Sequence, residues 1–140
     1  MRASIAYLVA PVLGFLFAQT IKYTLASRRD KNWRQFFRSG SMPSSHTAVV
    51  VGLSTAIYAH EGFSALFSIA AVLTMITIYD ALVARRSIGE QGAALVRLIE
   101  KSPFAKDPLP KVALGHKPKE VVAGAVLGGV IGIIVAFFIT

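Results

Sequence analysis

Cysteine is missing from the 140 residues, which excludes disulfides and thiolate chemistry and leaves the redox compartment unreadable. Acidic side chains are scarce: 7 Asp and Glu stand against 15 Lys and Arg, for a formal charge of +8. Despite that charge, the aromatic-basic pattern of an RNA-binding module is lacking, so no nucleic-acid partner is expected. Internal repeats strong enough to use are also lacking, and the length suits one domain, residues 1–140.

Apolar residues, by contrast, make up 54% of the chain, and the mean hydropathy is +0.60. A soluble domain this apolar would show amphipathic periodicity. Here the apolar residues form long blocks with charges between them, which indicates an integral membrane protein. The blocks run from about Ile5 to Leu25, Ser45 to Ala59, Phe63 to Val83, and Val121 to Ile139. At 1.5 Å per residue a helix of ~20 residues crosses a ~30 Å hydrocarbon core. The second block is shorter, so one of its ends is expected below the membrane surface. The first block, with Gln19 and Lys22 at its far end, fits a retained span better than a signal peptide. "HEG" at 60–62 permits only a tight turn, with His60 solvated.

The basic residues set the orientation. Lys22, Arg28, Arg29, Lys31, Arg34 and Arg38 fall in one connecting stretch. Arg85, Arg86, Arg97, Lys101, Lys106, Lys111, Lys117 and Lys119 fall in another, leaving only Arg2 elsewhere. With four spans both stretches share one side, expected to be cytoplasmic, with both termini outward. Trp33, Phe36 and Phe37 have the spacing of a short helix lying at the interface. Ile88, Leu95, Leu98 and Ile99 have helical spacing that either extends the third span or lies along the interface, until Pro103, Pro108 and Pro110 break it. The fold expected is an all-α integral membrane bundle of about four transmembrane helices, with interfacial helices in the two basic loops, in the cell membrane. Gly124, Gly128 and Gly132 recur every four residues, a pattern for close helix packing within one chain or in a homodimer through the Gly-rich last helix.

That topology gathers the unusual residues at one membrane face. Lys22 ends the first span; Pro43, Ser44, Ser45 and His46 begin the second, in "GSMPSSHTA". Asp80, Arg85 and Arg86 end the third, in "YDALVARR". Gly115, His116, Pro118 and Glu120 begin the fourth, in "GHKPKE". Two helix starts offer unpaired N–H groups and positive dipole ends to an anion. Ser44 or Ser45 can cap the second span, and Pro118 suits a first helical turn. Lys22, Arg85 and Arg86 add charge, and an Arg fork matches phosphate oxygens. His116 and Glu120 are one helical turn apart, so the carboxylate can fix the imidazole tautomer and free the other nitrogen as nucleophile or base. His46, from another helix, can protonate a leaving oxygen. Asp80 can pair with Arg85 or Arg86, hold a metal, or act directly.

"SGSMPSSHTA", "YDALVARRSIGEQGA" and "GHKPKEVVAGAVLG", in this order, resemble the divergent type-2 phosphatidic acid phosphatase family, related to acid phosphatases and vanadium haloperoxidases. The similarity covers nearly the whole chain, from "AQTIK" to "GAVLG". It implies that His46 is the general acid, His116 the nucleophile and Glu120 its orienting group. It further implies that Ser44, Ser45 and nearby amides cradle phosphate, with Lys22 and either Arg85 or Arg86 as its cations. The chain departs from the parent pattern: Ser45 stands in place of Gly, Glu120 in place of Asp, and no Arg-Pro follows Lys22. Roughly thirty residues separate Arg86 from His116, where the parent has five.

The function expected is a membrane phosphatase hydrolysing a lipid phosphate or pyrophosphate through phosphohistidine at the cytoplasmic face. It would use no metal or other cofactor, and its partners would be the phosphorylated lipid and membrane lipids. The runner-up is a non-catalytic lipid- or anion-binding transport protein that reuses the cationic site. A third reading is a metal-dependent phosphotransferase centred on Asp80.

Overall fold

The computed structural model describes residues 2–25, 42–102, 109 and 115–139. Trp33, Phe36 and Phe37, the basic residues 28–38, and Pro103, Pro108 and Pro110 lie outside them. Five helices are present among the described residues: α1 Arg2–Leu25, α2 Ser45–Glu61, α3 Ala65–Tyr79, α4 Arg85–Glu100 and α5 Pro118–Phe138. A π-helical turn, Asp80–Ala84, joins α3 to α4 without a break. The described residues contain no strand.

Local chemistry accounts for the boundaries. α2 starts at Ser44, whose side chain accepts from the Thr47 amide, as an N-cap should. It stops at Gly62, which takes φ 62° and returns its amide to the Tyr58 carbonyl, a conformation that costs glycine little. Ser64 then caps α3 by accepting from the Phe67 amide. The expected tight turn after α2 is therefore a C-cap followed directly by an N-cap. α5 opens with Pro118 in its first turn, where a missing N–H costs nothing.

Among the described residues, three stretches are long and apolar enough to cross a membrane: Ala3–Leu25, Pro118–Phe138, and the continuous Ala65–Glu100 of 36 residues. By rise per residue the last measures ~54 Å, well beyond a ~30 Å core. α4 therefore extends the third span as one rod. Its Ile88, Leu95 and Leu98 remain exposed.

α2, at 17 residues, is the short helix expected from the sequence, and it occupies the middle of the bundle. It packs on α1, α3 and α5, while α1 and α5 also pack on each other. Thr74 ties α3 to it, donating to the Val50 carbonyl at 3.1 Å and sharing a bond with Ser54 at 2.9 Å.

Small residues let the other helices approach α2. Ala6, Ala10 and Ala18 of α1 and Ala48 and Ala56 of α2 have no exposed surface. Gly124, Gly128 and Gly132 are buried in α5 and face α2 within the same chain. A methyl group at Gly132 would lie 2.7 Å from Thr55 Cβ and 2.8 Å from the Gly52 carbonyl oxygen, and one at Gly128 would collide with the Ala48 carbonyl. The glycine stripe is thus occupied inside one chain.

At the far end from Lys22, Tyr7 donates to Glu61 Oε1 at 2.8 Å. His60 is not simply solvated. Its Nδ1 lies 2.9 Å from the Ala56 carbonyl and its Nε2 3.2 Å from the Ile139 carbonyl, and its ring meets Tyr7 edge-on at 5.7 Å. The turn is short enough that His60 still belongs to α2, where its side chain folds back along the helix onto the end of α5.

Gly128→Ala is expected to lower the unfolding midpoint of the purified protein in detergent, by about 1–3 kcal/mol of overpacking. Gly129→Ala, whose methyl group would meet nothing nearer than Val51 Cγ1 at 4.0 Å, leaves the midpoint unchanged or raises it. Circular dichroism against temperature distinguishes the two.

Candidate active site

Two helix starts meet at one end of the bundle. The Ser44 amide donates to the Glu120 carbonyl at 2.9 Å, joining the entrance of α2 to the first turn of α5. Gly124, one turn further along α5, leaves the room: a methyl group there would strike the Ser44 carbonyl. Ser44 is wholly buried. Its Oγ accepts from the Thr47 amide at 3.4 Å and from the Thr47 hydroxyl at 3.0 Å. Between the two candidate serines, Ser44 is therefore the cap of α2, and Ser45 faces α1.

Lys22 enters from the end of α1. It is 6% exposed, and its Nζ donates to Ser45 Oγ at 3.1 Å. A buried ammonium needs partners. Ser45 supplies one, and Glu120 lies within Coulombic reach.

His116 sits just before α5 and is 5% exposed. Its backbone amide donates to the Ala81 carbonyl at 3.2 Å, which ties it to the π-turn. Gly115 makes that possible, because a methyl group there would collide with the Arg86 backbone. The His116 Nδ1 lies 3.2 Å from Glu120 Oε2, and the same oxygen accepts from the Lys117 amide at 3.2 Å. A carboxylate can only accept, so Nδ1 carries the proton and Nε2 keeps its lone pair.

Burial first, and then charge, decides the state of this ring. Burial lowers the pKa of His116 below its ordinary 6.5, and Lys22 and Arg85 push the same way, while Glu120 opposes them. The imidazole is thereby held neutral near neutral pH, the form required of a nucleophile. His46, in the first turn of α2, is exposed and within Coulombic reach of His116, Arg85, Lys22 and Asp80. The two imidazoles thus come from different helices to the same end of the bundle, as the alternating helix directions require.

The two arginines part company. Arg85 Nε bonds Asp80 Oδ2 at 2.6 Å, and Arg85 acts electrostatically on both His46 and His116. Arg86 Nε turns to Glu90 Oε1 at 3.1 Å, one helical turn along α4, and both groups are largely solvent-exposed. Of the sequence candidates, Lys22, Ser45, His46, Asp80, Arg85, His116 and Glu120 are drawn together. Ser44 supports them from beneath, and Arg86 stands apart. Sequence reasoning passed over Thr47 and the π-turn, and it named Gly115 without a task. Thr47 could have been suspected from its place three residues after a serine cap, but nothing in the sequence marks a π-turn.

The amino acids in this arrangement have relatives. Residues 4–131 match a family described as "Divergent PAP2 family". The chain is 35% identical over 149 residues to the "Uncharacterized membrane protein YuiD" of Bacillus subtilis (strain 168), covering 94% of each protein. No solved structure matches it.

Nitrogen-15 NMR of histidine-labelled protein is expected to find His116 neutral at pH 6.5, protonating only at lower pH. Lys22→Met removes a cation and should raise its pKa; Glu120→Gln removes an anion and should lower it. Shifts of the opposite sign would refute the electrostatics described here.

Proposed function

Because the chain belongs to the divergent PAP2 family, we propose that it is a membrane phosphatase acting on a lipid phosphate or lipid pyrophosphate at the cytoplasmic face. The observation that carries this reading is the His116–Glu120 pair, 3.2 Å apart at the start of α5. It frees one nitrogen of a buried, neutral imidazole beside Lys22 and Arg85. His46, arriving from a second helix start, supplies the complementary acid.

Two steps follow from that chemistry. His116 Nε2 attacks phosphorus, the bond from phosphorus to the lipid oxygen breaks, and His46 gives its proton to the departing oxygen. An arriving phosphate anion favours the protonated form of His46 that this step needs. In the second step water attacks the phosphohistidine and the P–N bond breaks. Neutral His46 takes the water proton, so inorganic phosphate leaves and both imidazoles regain their starting states.

Glu120 stabilises the positive charge that His116 acquires while phosphorylated. Lys22, Arg85 and the amides at the starts of α2 and α5 stabilise the charge on the equatorial oxygens. The chain's own groups thus carry each proton and each charge of the sequence. The lipid tail enters sideways between helices, and the head group is held among the basic residues.

Purified protein is expected to release phosphate from a lipid phosphate with chelator present. His116→Ala should reduce release by at least ~10²-fold, the scale of a lost nucleophile or acid–base group, while circular dichroism keeps its helical signal. Activity that survives in His116→Ala would overturn the mechanism. Lipid phosphate that binds and never turns over would mark a carrier, and activity lost only with chelator would point to a metal at Asp80. Orientation has its own test, since the chain has no Cys. A single Cys at Ser87 should react with an impermeant maleimide only from the cytoplasmic side.

A further inference from the structure

Asp80 and Arg85 are five residues apart. In an α-helix five residues turn through about 500°, which sets two such side chains some 140° apart around the axis. They could not meet there, and the ordinary ion-pair spacings are three and four. Here they do meet, at 2.6 Å between Arg85 Nε and Asp80 Oδ2. The π-turn is the reason. It runs Asp80–Ala84, and its wider ring is closed by the Arg85 amide donating to the Asp80 carbonyl. Bonding from i to i+5 brings residues 80 and 85 onto one face. The same two residues are therefore linked twice, once through backbone and once through side chains.

We propose that Asp80 is the positioning residue of the site: through the π-turn it fixes the Arg85 guanidinium by its Nε edge and aims the two Nη groups at the bound phosphate. This inference rests on the reading of the site as a phosphate-transfer centre. Three observations carry it. The ion pair engages Nε, and a guanidinium presents its planar fork to phosphate with the nitrogens that remain. The backbone of Arg85 packs against Gly115, next to His116, and its charge reaches both His46 and His116. Arg86, one residue on, escapes the constraint and turns to Glu90, away from them.

The backbone of the π-turn serves the same end. The Ala81 carbonyl receives the His116 amide at 3.2 Å, and Gly115 packs on the backbone of Arg85 and Arg86. One local distortion thus positions the cation through Asp80 and the nucleophile through Ala81. An unbroken α-helix would separate residues 80 and 85 around the axis. Asp80 itself touches neither lipid nor phosphorus and acts through Arg85.

The test is a double-mutant cycle on the full-length protein in lipid nanodiscs. It reads orthovanadate affinity by calorimetry together with kcat/KM on a lipid phosphate. Asp80→Asn should weaken both by about tenfold, the scale of one charge-assisted hydrogen bond. In an Arg85→Gln background the same change should cost nothing more, because its only route of action is gone. Asp80→Glu, which keeps the carboxylate one methylene further out, should fall between wild type and Asp80→Asn, with helical content and elution volume unchanged in all.

The inference is overturned if Asp80→Asn costs as much with Arg85→Gln as without it, since Asp80 would then act directly. It is also overturned if Asp80→Asn binds orthovanadate as well as wild type or better, since Asp80 would then be idle or a competitor for Arg85. Wild-type protein that binds no orthovanadate would bring down the phosphatase reading first, and this role with it. Normal wild-type binding and turnover with an unaffected Asp80→Asn would remove only the role of Asp80.

Discussion

The closeness of α2 to its neighbours is the constraint on which the rest depends. In lipid, helices gain little from hiding apolar surface from one another, because the solvent is as apolar as they are. Contact must come from backbones that fit together. This chain meets that demand with small residues repeated every four positions: Ala6, Ala10, Gly14 and Ala18 on α1; Ser44, Ala48, Gly52 and Ala56 on α2; Gly124, Gly128, Gly132 and Ala136 on α5. All of them are buried. The stripe of α5 meets carbonyls and Thr side chains of α2, and Gly14 of α1 would bring a methyl group to 2.9 Å from the Ala48 carbonyl oxygen.

The same four-residue register carries polar residues of the candidate site. One step beyond Ala18 stands Lys22; the first residue of the α2 series is Ser44; one and two steps before Gly124 stand Glu120 and His116. A row that packs helices against α2 must, where it reaches the end of the bundle, point its last members at the same place. The polar residues therefore converge through continuity of the packing faces. Lys22 reaches Ser45 and the Ser44 amide reaches the Glu120 carbonyl because backbones one turn away are already close. A wider bundle built from large side chains would leave these groups apart, and a buried ammonium without partners would be costly.

α3 stands outside this scheme. Only Ala70 in it is buried, and it is held to α2 through the hydroxyls of Thr74 and Ser54. Its contribution comes at its end, where the π-turn replaces regular winding. There the chain gains an aspartate–arginine pair and a carbonyl for His116 from the six residues 80–85, none of which belongs to a packing stripe. At the opposite end of the bundle, Tyr7, His60 and Glu61 form a second polar layer with the Ile139 carbonyl. The described residues therefore form a waist of small residues between two polar ends, one of which gathers the starts of α2 and α5, His46, His116 and the cations Lys22 and Arg85.

Much of this was legible along the chain. Block lengths and charges between them dictate a helical membrane bundle, since uncharged runs of that length satisfy their backbone only as helices. His116 and Glu120 could be paired on paper, because a spacing of four is local geometry and needs no tertiary contact. The shortness of α2 was readable too, and so was a serine cap at its start, at Ser44 or Ser45. What the tertiary structure decided were questions of direction. The capping role fell to Ser44 and the lysine contact to Ser45, because α1 crosses on one side of α2 only. Arg85 was drawn in and Arg86 turned away, because a π-turn rotates the helix face at that point, and no residue pattern announces such a turn. His60 was folded onto Ile139, because α5 happens to end beside it. Composition and spacing act over a few residues, and so they set what each helix is; which way a side chain points at a junction depends on a neighbour dozens of positions away.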